Sequence, residues 1–182
     1  MKFNKKILKK KIKDDIIENI KVKKELLKNN INQIINAQNI CVNSVKSGGK
    51  LIFCGNGGSA SDAHHLVTEL LVRLRPNVNR KSLPVISLAL DTSTLTACGN
   101  DYSFDKIFSR PLSAIGNKND VLICISTSGK SKNIIIVLKQ AKKQQIKTIS
   151  FLGHKGGIAK KFSNLSLIVD SNNVARIQES HI

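Results

Sequence analysis

Val121-Leu122-Ile123-Cys124-Ile125 is an unbroken apolar run, and Ser126-Thr127-Ser128-Gly129-Lys130-Ser131 follows it directly. Such a run reads as a strand buried on both faces, as parallel sheets require. A helical pattern then runs from Asn133 to Lys143, so the segment is strand, loop and helix in that order. The same order occurs upstream. Lys50 to Cys54 is a short strand, Gly55-Asn56-Gly57-Gly58-Ser59 a loop, and a helix begins near Ser61. Val85–Leu90, Thr148–Leu152 and Leu165–Val169 bring the strands to five, and Pro84 suits a strand's first residue. The repetition predicts one α/β domain, a five-stranded, mostly parallel sheet flanked by helices on both faces.

The first 47 residues follow another rhythm. Leu8, Ile12, Ile16 and Ile20, then Leu27, Ile31, Ile34 and Ile35, recur at helical spacing among Lys and Asn. This predicts amphipathic helices with a break near Asn29 and Asn30, ended by Ser47-Gly48-Gly49. Their apolar stripe suits packing on the domain, on neighbouring subunits, or on both. Residues 48–182 then form the ligand-binding domain.

Composition narrows the class. The chain has 182 residues, 41% apolar but only 4% aromatic, so Ile, Leu, Val and Ala must build the core. Cys41, Cys54, Cys98 and Cys124 have no CxxC spacing, and Cys54 and Cys124 lie in strand-like runs, where they read as small buried hydrophobes. No secretory h-region follows the basic N-terminus, and no apolar stretch is long enough to span a membrane. The expected compartment is the cytoplasm. The formal charge is +18, with eleven lysines and four acids in the first thirty residues. A nucleic-acid surface would interleave that charge with aromatics, yet Trp is absent and Tyr102 is the only tyrosine. The positive field would equally favour an anionic small molecule such as a phosphate ester, so charge by itself does not choose between the two.

Both strand-to-helix loops sit where an open α/β sheet binds ligands. Gly55, Gly57 and Gly58 let backbone approach a ligand closely, with Ser59 and Ser61 beside a helix start. In the second loop Ser126, Thr127, Ser128 and Ser131 converge on a helix N-terminus, a natural phosphate site, whereas capping alone needs one hydroxyl. No GxxxxGK[ST] P-loop is present. His65 and Glu69, four apart, share one helical face. They could hold a zinc-like metal, or Glu69 could move a proton, or the two could be an ordinary surface pair. Arg176, Gln178, Glu179 and His181 open a last helix that would add ligands if it folds back over the first loop.

Several motifs together resemble the SIS-domain phosphoheptose isomerases of bacteria. They are Gly55-Asn56-Gly57-Gly58-Ser59, Asp62, His65 to Leu70, Gly99-Asn100-Asp101-Tyr102, and Phe108-Ser109-Arg110. Ile125 to Gly129, Gly156-Gly157 and Ala175 to Glu179 complete the set. They occur in that family's order and spacing from about residue 30 onward. The resemblance implies a reversible conversion of sedoheptulose 7-phosphate to D-glycero-D-manno-heptose 7-phosphate, the first step toward nucleotide-activated heptose. It implies a single SIS-type domain assembled as a homotetramer, with no nucleic-acid or membrane partner. Ser126, Thr127, Ser128 and Ser131 would hold the phosphate. Asn56, Gly57, Gly58 and Ser59, with Asn100 and Asp101, would line the sugar. His65, Glu69 and Gln178 would bind one zinc ion per subunit, Glu69 would be the proton-transfer base, and Arg73 is a further candidate substrate contact.

Two departures stand out. Lys130 replaces the asparagine common after Ser-Thr-Ser-Gly. The family also carries a second histidine in a helix continuing past His181, whereas this sequence ends at Ile182; the expectation is a truncated chain or one lacking that group. The competing function is a non-catalytic SIS adaptor related to the replication-initiator-binding protein, which has no need of the His65–Glu69 pair.

Overall fold

A computed structural model of the protein describes residues 4–182, so the first three residues of the N-terminal region lie outside it. Helix α1 (Lys5–Asn29) starts under Asn4, whose side chain accepts from Lys6 N–H at 3.0 Å. It gives way at Asn30 to α2 (Ile31–Lys46), where the apolar rhythm breaks. Gly48, at φ 77°, turns the chain out of α2 into the sheet.

Five strands follow: β1 (Leu51–Gly55), β2 (Val85–Ser87), β3 (Val121–Ser126), β4 (Lys147–Gly153) and β5 (Leu165–Val169). They pair in the order β2-β1-β3-β4-β5, every pair parallel. Alternate residues feed opposite faces. Ile52, Cys54, Leu122, Cys124 and Leu152 join the core covered by α4 (Thr92–Asp101), α5 (Ser109–Ile115) and α6 (Lys132–Lys143). Leu51, Phe53, Ile123 and Ile149 join the other, covered by α2 and α3 (Gly58–Leu71). The four cysteines are free, and Cys54 and Cys124 are fully buried.

Two elements differ from the sequence reading. Strand β2 stops at Ser87, not Leu90; Leu88 N–H still donates to Phe53 O at 2.8 Å before the chain turns. As an edge strand, β2 has a single partner to prolong it. Helix α3 begins at Gly58, three residues before Ser61, because Gly57 takes φ 55° and compresses the turn. Helices α4 and α5 lack a marked apolar period, and periodicity alone did not reveal them.

This strand order has one topological switch point, between β1 and β3. Their following connections leave toward opposite faces and open a crevice beyond the strands' carboxyl ends. Both candidate loops border it. Among the described residues no helix is long and apolar enough to cross a membrane.

Candidate functional site

The glycine loop ends β1 and begins α3. Ser59 N–H and Ala60 N–H donate to Asn56 O and Gly57 O, each at 3.0 Å, so Gly57 and Gly58 stay exposed while Ser59 is buried. Helix α7 (Val174–His181) folds back over this loop. A Cβ built on Gly58 would overlap Gln178 Nε2, and one on Gly153 would overlap Ile177. At Gly153 the Thr127 carbonyl lies as close as Ile177, so the absent side chain there is what lets α7 dock. At Gly58 only the flexible end of Gln178 is met. Its far end is buried, with His181 packed against Phe151 at 6.0 Å between ring centroids.

Along α3, His65 Nε2 lies 4.0 Å from Glu69 Oε1. His65 is exposed and Glu69 half-buried at the mouth of a cavity of about 520 Å³, which Arg73, Arg75, Arg80 and Ile182 also line. Arg80 caps the end of α3: its guanidinium donates to Glu69 O at 2.7 Å and Leu70 O at 2.8 Å. That grip satisfies carbonyls a helix end leaves open and fixes the turn bearing Glu69. A smaller concavity of about 340 Å³ lies under the α1–α2 elbow, where Lys155 pairs with Asp170 at 2.7 Å.

The hydroxyl loop joins β3 to α6. Ser126 Oγ accepts from Gly129 N–H at 3.1 Å and Ser128 Oγ from Lys130 N–H at 3.2 Å, leaving both O–H groups free to donate. Ser131 occupies the N-cap position of α6, while Thr127 uses its carbonyl to receive Gly153 N–H at 3.1 Å. The β4–β5 connection braces the loop from behind. Gly157 takes φ 56°, and a Cβ there would lie 2.5 Å from Ser128 O. Lys130 is exposed beside the loop. Asn100 and Asp101 end α4 at the surface, where Asn100 Nδ2 bonds Asp101 Oδ1 at 2.9 Å.

The SIS domain family model matches residues 17–153. Curated phosphoheptose isomerases of Leptospira biflexa and Clostridium acetobutylicum are 43% and 44% identical, over 94% of this chain and 88% and 87% of theirs. The solved phosphoheptose isomerase of Neisseria gonorrhoeae superposes with a TM-score of 0.90 at 36% identity, over 96% of this chain and 92% of that one. The chain belongs to the SIS-domain phosphoheptose isomerase family.

For a phosphoheptose isomerase, the donor set on α3 can be tested against a metal. A shared zinc ion lies about 2.0–2.2 Å from imidazole nitrogen and carboxylate oxygen. The 4.0 Å between His65 and Glu69 leaves that room. Among the described residues no group of three His, Cys, Asp or Glu is placed to hold a metal ion, and the Gln178 amide lies over the start of α3.

Around this pair the electrostatics are set by burial. Asp62 Oδ2 is buried without a partner; burial pushes that carboxyl up, and the charge of His65 opposes the shift. Burial pushes His181 down to about 4, against the Leu152 backbone, which comes near without meeting hydrogen-bond geometry with either ring nitrogen. Two residues of the candidate site escaped the sequence reading, Arg80 and Asn133. For Arg80 the available signal was a basic residue shortly after a helix end; Asn133 had none.

Proposed function

We propose that the protein converts D-sedoheptulose 7-phosphate to D-glycero-D-manno-heptose 7-phosphate, opening the synthesis of nucleotide-activated heptose in the cytoplasm. The observation that carries this reading is the His65–Glu69 pair, on the helix that leaves the glycine loop and facing a cavity rich in arginine. The phosphate sits on the hydroxyls of Ser126, Thr127, Ser128 and Ser131 and on the free amides of the first turn of α6. Gly57, Gly58 and Ser59 line the sugar with backbone groups, and Asn56, Asn100 and Asp101 complete that wall. Glu69 takes the proton from C1, an enediolate forms, and the proton returns to C2. His65, Glu69 and Gln178 would hold one zinc ion per subunit. When bound, zinc supplies positive charge against a developing oxyanion.

Assembly as a homotetramer completes the reading. Helix α1 buries no residue within one subunit and leaves Ile12, Ile16 and Leu27 59%, 55% and 67% exposed, a stripe suited to neighbouring copies. A non-catalytic SIS adaptor has no use for the His65–Glu69 pair, and the relatives matched over most of the chain are isomerases. The test is turnover of sedoheptulose 7-phosphate by the zinc-loaded protein, read by NMR. Absence of aldose product, in a preparation that sizes as a tetramer, rejects the isomerase.

A further inference from the structure

Asn133 and Asn56 exchange a pair of amide hydrogen bonds. Asn133 Nδ2 donates to Asn56 Oδ1 at 2.8 Å, and Asn56 Nδ2 donates back to Asn133 Oδ1 at 2.9 Å. Asn133 Oδ1 also accepts from Ile134 N–H at 2.9 Å. Asn133 is only 2% exposed, whereas Asn56 is half-buried at the mouth of the glycine loop. The pair spans the switch point: one member belongs to the loop after β1, the other to the first turn of α6 after β3. Buried amides matched donor to acceptor on both sides resist displacement, because breaking either bond strands a polar group.

We propose that Asn133 is a positioning residue for the isomerisation. Acting through Asn56, it holds the glycine loop at a fixed span from the hydroxyl loop, so that a sugar phosphate anchored at Ser126–Ser131 presents its carbonyl end to Glu69. The inference rests on the isomerase reading. It also reassigns Asn56: the side chain faces Asn133, and what remains for the sugar at that position is backbone. Each loop is tied to its own strand, so loss of the clamp lets the two drift relative to each other without unfolding either. Phosphate binding needs one loop. Proton transfer needs both in register.

The experiment compares Asn133→Ser, Asn56→Ala and the double variant with the parent, in the full-length, zinc-loaded protein. Serine keeps a short hydroxyl for the first turn of α6 but cannot reach Asn56. Turnover of sedoheptulose 7-phosphate, affinity for inorganic phosphate by calorimetry, and melting temperature are read on each. The expected result is a kcat lowered by about tenfold to a hundredfold in Asn133→Ser, with affinity for inorganic phosphate close to the parent's. Asn56→Ala, on the accessible side of the pair, reproduces the loss without a fall in melting temperature. The double variant is no worse than the poorer single one, since both remove one clamp. Additive losses, or a kcat equal to the parent's in Asn133→Ser, overturn the inference. So does a fall in phosphate affinity and melting temperature together, which makes Asn133 a helix cap only. A parent without turnover overturns the isomerase and this inference with it; an active parent with additive losses overturns the inference alone.

Discussion

Gln178 Nε2 occupies the space that a Cβ on Gly58 would fill. These residues are 120 apart in sequence, yet the contact seats the last helix on the start of the helix bearing His65 and Glu69. The neighbour is the far end of a flexible side chain, so Gly58→Ala would cost little in folding. Alanine is also the better helix former, and stability should stay within about 1 kcal/mol of the parent. Gln178, however, must move. Turnover should fall about tenfold or more, with weaker zinc retention on dialysis against a chelator. Unchanged turnover and zinc content would separate Gln178 from the site.

Glu69→Gln keeps size and polarity but removes the basic oxygen. If Glu69 moves the proton, kcat should fall by about 10²–10⁴-fold while sedoheptulose 7-phosphate still binds, since the hydroxyl loop is untouched. Steady-state kinetics paired with calorimetry reads both quantities. Turnover close to the parent's would make Glu69 a surface carboxylate.

Replacing Ser126 and Ser128 together with alanine removes two hydroxyls that accept from the loop's own amides and have an O–H left for a ligand. A hydrogen bond to a charged group is worth about 1.5–3 kcal/mol, so affinity for the sugar phosphate should drop tenfold or more. The loop keeps its brace from Gly156 and Gly157, and the denaturation midpoint should move far less than the affinity. Unaltered binding isotherms would reduce the loop to a cap.

Acid stability should depend on His181. Its pKa is lowered from 6.5 to about 4 by burial, so the folded state excludes a proton that the unfolded chain accepts. Stability from this group is therefore full above pH 6.5 and lost as pH falls toward 4, on the order of 3 kcal/mol across the window. His181→Phe keeps an aromatic ring beside Phe151 and abolishes the titration. Urea melts between pH 4 and 7 should show a shallower pH slope for the variant, and parallel slopes would contradict the assignment.

Local patterns in the chain were enough to find the sheet. The apolar runs at Leu51 and Val121, the hydroxyls from Ser126 to Ser131 and the glycines at 57 and 58 each signal through near neighbours, because strand burial, helix capping and turn conformation are short-range effects. The His65–Glu69 face followed from helical pitch alone, and the break at Asn30 from a lapse in apolar spacing. Motif resemblance supplied the roles that spacing left open. The tertiary structure decided whatever depends on placement between elements. The order β2-β1-β3-β4-β5 puts two loops, some seventy residues apart, on either side of one crevice. Arg80 reaches back to the carbonyls of Glu69 and Leu70 only after the chain turns beyond α3. Gln178 meets Gly58, and Asn133 meets Asn56, only once helices pack on the sheet. No period or cap encodes such contacts, since they arise from close packing between segments whose separation along the chain carries no information about their separation in space.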